Sequence, residues 1–202
     1  MESLYATYKS GYSESPDSAI RFFKENALIF NNVSHFNNEE ELRMFMDVYV
    51  PCVCAFVSRK QFKNAIAALK LLPVIENAID DYKINRSEYI SYKELLFRKG
   101  MSLYYLRDFK QAKTIFNTLQ VYEPENDLVK TWIEHCKLKQ LNRFLYLVPV
   151  IIVVSILIDV VFKTNKYQHH ILSIITYTLM AIAFGLMIYI QIKSNRKLIS
   201  SK

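Results

Sequence analysis

Two long apolar segments near the C-terminal end constrain the fold of this chain more than any other feature. Residues 144–162 contain one ionisable side chain, Asp159, and residues 171–192 contain none. As helices that rise ~1.5 Å per residue, both segments are long enough to cross a hydrocarbon layer of about 30 Å. Only the residues 163–170 separate them, so we predict two antiparallel transmembrane helices. The alternative, a buried hairpin in a water-soluble core, is disfavoured because neither segment has a polar face for water.

The positive charges beside these segments predict their orientation. The outer flanks carry eight basic residues, whereas the connecting loop carries two, Lys163 and Lys166. Because Lys and Arg favour the cytosolic side of a membrane, both termini are expected in the cytosol. A bacterial inner membrane or the outer membrane of an organelle fits this arrangement. The eight flanking residues are Lys130, Lys137, Lys139, Arg143, Lys193, Arg196, Lys197 and Lys202.

Three residues of the predicted membrane hairpin could do more than anchor the chain. An ionisable group within a span is a functional candidate by default, which singles out Asp159. Asp159 also lies about one turn before Lys163, near the expected interface, where a carboxylate reaches headgroup water; we favour this interfacial role over a proton or ion relay. Ala181 and Gly185 have the spacing of small residues that lets two membrane helices approach closely.

The distribution of charge argues against a nucleic-acid partner. Residues 1–143 carry 20 Lys and Arg against 18 Asp and Glu, so the formal net charge of +7 belongs mainly to residues 144–202. The first 143 residues therefore lack the basic patch that binding to phosphates requires. The lipid bilayer is the expected partner of the basic C-terminal part.

The sequence contains no recognisable catalytic or metal-binding pattern. Three glycines in the whole chain are too few for a phosphate-binding loop, and the four histidines are scattered. The pair Cys52 and Cys54 is too closely spaced for a usual zinc site, and with Cys136 it predicts reduced, buried thiols. We therefore predict a protein that is not an enzyme and that uses no metal and no cofactor.

A repeat with a period of 46–47 residues runs through the first 143 residues. Ala19, Ala65 and Ala112 are each followed four residues later by Phe23, Leu69 and Phe116, respectively. A recurrence of this length in a Gly-poor, helix-favouring sequence predicts stacked helical hairpins, and hence an all-α fold.

In the last of these units, residues 93–126, Gly100 precedes Ala112 by twelve residues and Phe116 by sixteen, and Pro124 follows Gly100 by twenty-four. With these spacings the unit resembles the tetratricopeptide repeat. In that family a small residue on the first helix allows the second helix to pack closely, and a proline closes the unit. The resemblance extends to residues 46–77, where Phe62 and Ala65 match. It implies a cytosolic helical stack over residues 1–143, followed by the membrane hairpin over residues 144–202. The matching packing residues of the last unit are Leu96, Gly100, Leu103, Phe109, Ala112, Phe116, Leu119 and Pro124.

Local signals predict where several helices begin. Ser15 before Pro16 and Asn38 before three acids are typical of helix N-termini. Ser87 is expected to cap a long helix over the next residues, and Pro51 to interrupt and bend the helix that follows Asn38. A final helix is expected to start at Pro124 and to turn three residues inward, namely Leu128, Trp132 and Cys136.

The resemblance also implies a binding groove, because the first helix of each tetratricopeptide unit lines a surface for peptides or partner helices. Tyr and Met side chains make adaptable contacts there. The alternative is that these aromatic residues fill the interior of the stack. Family members that clamp the C-terminal carboxylate of a chaperone use Lys and Asn on this face. This chain has Phe97, Met101 and Tyr104 at those positions, which disfavours recognition of such C-termini. The matching groove positions are Glu94, Phe97, Met101, Tyr104 and Tyr105, with Leu128, Thr131 and His135 from the last helix.

Two functions fit these expectations. In the first, the chain is a membrane-anchored adaptor or scaffold that binds a protein partner at the cytosolic face. Its layout is similar to the tail-anchored mitochondrial and peroxisomal fission adaptors, although those have one span and this sequence predicts two. In the second, the helical domain senses a partner and drives homo-oligomerisation, so that the hairpins form a pore or disrupt the membrane.

Overall fold

The described part of the chain is built of helices. The computed structural model describes residues 1–12 and 15–145, together with scattered single positions between 150 and 188. These residues contain helices and no strand, which confirms the all-α class. The helices are α1 (Glu2–Gly11), α2 (Pro16–Glu25), α3 (Ala27–Asn31), α4 (Glu39–Ser58), α5 (Phe62–Ala68), a 3₁₀ turn (Leu69–Leu71), α6 (Leu72–Asp81), α7 (Ile90–Tyr105), α8 (Phe109–Tyr122) and α9 (Asp127–Leu145).

Two of the predicted helix starts are confirmed by their capping bonds. At the start of α2, Ser15 accepts a hydrogen bond from the backbone N–H of Ser18, the Ser18 hydroxyl bonds back, and Pro16 occupies the first turn. At the start of α4, Asn38 Oδ1 accepts from the backbone N–H of Glu41 at 2.8 Å. Both side chains satisfy donors that the first turn of a helix leaves unpaired.

Two other predicted starts are wrong, because asparagine side chains make the local bonds instead. Ser87 does not cap α7: it donates to Asn85 Oδ1, and α7 begins only at Ile90. The last helix does not begin at Pro124, which lies exposed in the preceding turn. Asn126 Oδ1 accepts from the N–H groups of Leu128 and Val129, so α9 begins at Asp127.

The inward face of α9 also differs from the prediction. Leu128 is 54% exposed, whereas Val129 and Ile133 are buried together with Cys136. Trp132 is half-buried. The buried stripe thus follows positions 129, 133 and 136, and the predicted inward position of Leu128 is wrong.

Helix α4 lies at the centre of the compact unit that spans Met1–Cys136. It packs against α1, α2, α5 and α7, while α7 also packs against α5 and α8. The helix continues through Pro51 to Ser58, so the expected interruption is wrong. Pro51 removes one backbone N–H donor and crowds the preceding turn, yet the helix continues on both sides of it.

The predicted packing residues of the repeat lie mostly at the contacts between helices. Leu96, Gly100, Ala112, Phe116 and Ala65 are buried, Phe62 is half-buried, and Pro124 is exposed. The tightest of these contacts joins α7 to α8. A methyl group placed on Gly100 would lie 2.7 Å from Cζ of Phe116, so the α7–α8 contact requires glycine at this position.

The second compact unit, Lys137–Lys202, is described at few positions beyond residue 145. No helix within the described residues is both long and apolar enough to pass through a bilayer. Most of the predicted spans, 144–162 and 171–192, and Asp159 itself lie outside the described residues. Ala181 and Gly185 are helical and exposed, and their role in helix contact stays a prediction.

Candidate functional site

The predicted groove residues on α7 divide into a half-buried group and an exposed group. Phe97 and Tyr104 are half-buried because both rings pack edge-on against Trp132 of α9, with ring centroids at 6.4 and 5.1 Å. Trp132 in turn stacks on the buried ring of Phe116 at 5.6 Å. Phe97 and Tyr104 therefore contribute to packing between α7, α8 and α9, as the alternative interpretation expects.

The exposed group presents large side chains to solvent. Tyr105 is 50% exposed and stacks on Phe62 of α5 at 4.5 Å, which fixes the ring while leaving one face open. Leu128 is 54% exposed, and Thr131 and His135 are exposed on the same helix. His135 lies 5.9 Å from the ring of Trp132. Tyr105 and His135 are thus both exposed and both contact the half-buried ring of Trp132, at 6.1 and 5.9 Å.

A cluster of polar residues lies nearer the N-terminal end of α7. Glu94 Oε1 accepts hydrogen bonds from Nε of Arg98 at 2.7 Å and from the thiol of Cys54, on α4, at 3.5 Å. Nη1 of Arg98 faces the sulfur of Met101 at 3.8 Å. The side chains of Glu94 and Arg98 are both less than half exposed. Solvent therefore screens the attraction between their charges only in part. Glu94 and Met101 are therefore joined through Arg98, a residue that the sequence analysis did not single out.

Arg98 also lines an open cleft of about 340 Å³ that the sequence analysis missed. The cleft lies between α1, α2, α4 and α7. Its walls are mainly small or apolar, with hydroxyl groups at the edge. The lining residues are Tyr8, Ser15, Pro16, Ala19, Pro51, Cys54, Ala55, Ser58 and Arg98.

The guanidinium of Arg98 connects this cleft to the aromatic residues. It lies 5.8 Å from the ring centroid of Phe97, in the range of a cation–π contact. Phe97 then contacts Trp132. We define the groove as the surface formed by the cleft, the Glu94–Arg98 pair, Met101 and the side chains around Trp132, including Tyr105.

The cysteines near the groove are poor nucleophiles. Burial raises the pKa of the Cys54 thiol to about 11 and that of Cys52 to about 12. Burial likewise raises the pKa of Cys136 to about 11. Since the thiolate is the reactive and metal-binding form, these side chains are protonated near neutral pH. Within the described part of the chain, no group of His, Cys, Asp and Glu residues is arranged to hold a metal ion.

Comparison with known proteins gives no relative from which a function could be transferred. No protein-family model matches the chain, and no curated protein or solved structure matches it significantly. The groove itself combines aromatic side chains held by ring contacts with one partly shielded ion pair.

Proposed function

We propose that this chain is a membrane-anchored helical adaptor that binds a protein partner in its groove. The observation that carries the proposal is the exposure of Tyr105 and Leu128 beside the half-buried Trp132. Large aromatic and apolar side chains that are held in place by their neighbours bind a partner with little loss of conformational entropy.

The packing of the helices supports a repeat-like stack as the scaffold of this groove. Helix α4 packs on both α1 and α2, and α7 packs on both α4 and α5. Each of these helices thus contacts the two helices of the pair before it, which is the nearest-neighbour pattern of helical repeats. This pattern supports the resemblance to tetratricopeptide repeats.

The apolar segments 144–162 and 171–192 support the membrane part of the proposal. We expect the full chain to stay in the membrane pellet after extraction at alkaline pH, because such treatment releases only peripheral proteins. The measurement is an immunoblot of pellet and supernatant. Release of most of the chain into the supernatant would refute anchoring by these segments, independently of any partner.

Site-specific photocrosslinking tests the proposed partner binding. A photoreactive phenylalanine analogue in place of Tyr105 is expected to capture a discrete protein partner in intact cells, because this position is half exposed within the groove. Val121 on α8 provides the matched control, since it is 78% exposed but does not belong to the groove. The readout is a shifted band that mass spectrometry identifies.

The comparison between the two positions decides the outcome. Capture from position 105 alone supports a partner in the groove. Equal adducts from positions 105 and 121, or none from position 105, would contradict the adaptor function.

A further inference from the structure

The cleft is lined by Tyr8, whose hydroxyl is a hydrogen-bond donor. Tyr8 is 3% exposed, its ring packs edge-on against Phe22 at 5.1 Å, and it lines the cleft. The hydrogen bonds that Ser15, Cys54 and Ser58 of the cleft make do not involve the Tyr8 hydroxyl. A phenol in such surroundings usually bonds to a partner, so this donor is available to a ligand that enters the cleft.

Arg98 provides further donors from the other side of the cleft. Its Nε and Nη2 atoms both bond to the same oxygen of Glu94, Nη1 faces the thioether of Met101, and the Cys54 thiol is a further neighbour of the guanidinium. A guanidinium has five N–H groups, whereas Glu94 engages two of them. A thioether sulfur is a weak acceptor, so the outer edge of Arg98 keeps unused donor capacity.

Neither serine hydroxyl of the cleft bonds to these donors. The hydroxyl of Ser58 donates to the carbonyl of Ala55, and the hydroxyl of Ser15 bonds to Ser18. Pro16, Ala19, Pro51 and Ala55 contribute apolar surface. The cleft therefore combines a surplus of donors with apolar walls, and its preferred ligand carries an acceptor-rich, negatively charged group on an apolar stem.

We propose that the cleft binds the carboxylate side chain of a Glu or Asp residue of the protein partner. The carboxylate accepts from the outer N–H groups of Arg98 and from the hydroxyl of Tyr8, while its methylene groups lie against Pro51 and Ala55. This inference rests on the proposed function, because it names the chemistry of the partner in the same groove. Among the described residues, Arg98 is the one charged side chain that lines the cleft, and it compensates the single charge of a carboxylate more fully than the nearly double charge of a phosphate.

The test uses the full chain and two small probes of equal shape. N-acetylglutamate α-amide carries the side-chain carboxylate, and N-acetylglutamine α-amide is its neutral counterpart. For a fragment of this size, we expect saturable binding of the glutamate probe with a Kd of about 1 mM. The readout is the NMR shift of the Arg98 Nε–H resonance, or of the neighbouring backbone amides in variants. The glutamine probe is expected to bind at least tenfold more weakly, since charge-assisted bonds are lost.

Two variants separate recognition from a merely structural ion pair. Arg98→Gln and Glu94→Gln break the same salt bridge, but they should act in opposite directions. Arg98→Gln should abolish binding of the glutamate probe, whereas Glu94→Gln removes the competing carboxylate and should tighten binding severalfold. Tyr8→Phe should weaken it about fivefold, as expected for one lost hydrogen bond.

The possible results are all decisive for the cleft. The expected pattern of opposite effects supports the proposal. Equal binding of the two probes, or the same effect of both charge-removing variants, would overturn it. Acetate that binds as tightly as the glutamate probe would also overturn it, because a free anion makes no use of the apolar walls. Photocrosslinking at Tyr105 tests the adaptor function separately, so a partner captured there together with a failed probe refutes only the cleft.

Discussion

Replacing Gly100 by alanine is expected to destabilise the helical unit by about 1–2 kcal/mol, although alanine is the better helix former by ~1 kcal/mol. The new methyl group would lie 2.7 Å from Cζ of Phe116. That ring is fully buried and is held by Trp132 on one face and by the edge of Phe97. Because the ring cannot turn away, α7 and α8 must separate, and the cost of overpacking exceeds the gain in helix propensity. The free energy of unfolding, measured by urea titration of the full chain, reports the difference.

Gly11 provides a matched control for this substitution. It is also helical, yet a methyl group there would meet no described atom within 4 Å. Gly11→Ala should therefore be neutral or slightly stabilising. Adding Phe116→Leu to Gly100→Ala should cost less than the sum of the two single changes, since leucine leaves space for the methyl group. A Gly100→Ala variant as stable as Gly11→Ala would show that α7 and α8 do not pack at this distance.

The elements that could be predicted from the sequence depend on interactions between near neighbours. Ser15 and Asn38 cap their helices through bonds that span three residues, so the local sequence contains the whole signal. Ser87 shows where this reasoning fails. Asn85 lies two residues away and competes for the same bonds, and nothing in the residue types decides which side chain prevails.

In the groove, too, the arrangement of residues within one helix could be predicted, whereas contacts between distant segments could not. Glu94, Phe97 and Met101 could be assigned to one face because the resemblance to the tetratricopeptide repeat places them on the same side of a single helix. The cleft could not be predicted, since it brings Tyr8, Cys54 and Arg98 together from three segments more than forty residues apart. No periodicity relates these positions. Their proximity depends on how α1 and α7 both pack against α4.

Replacing Trp132 by alanine is expected to have the other large effect, a loss of about 3 kcal/mol in the free energy of unfolding. This value lies at the lower end for a buried aromatic residue, because Trp132 is only half-buried. Its ring nevertheless contacts the rings of Phe116, Tyr104 and Tyr105 within 6.1 Å. Removing it leaves a void between three helices. It also removes the ring against which the exposed Tyr105 of the groove packs.

Hydrogen exchange can show where this loss acts. In Trp132→Ala, the amides of residues 127–136 are expected to exchange faster than those of α4, because the side chain links α9 to α7 and α8. Leu128→Ala is the matched control on the same helix: since Leu128 is 54% exposed, its removal should change stability by less than about 0.5 kcal/mol. Trp132→Ala should also reduce photocrosslinking from position 105. If both variants leave exchange in residues 127–136 unchanged, then α9 is held by Val129, Ile133 and Cys136 alone, and Trp132 does not organise the groove.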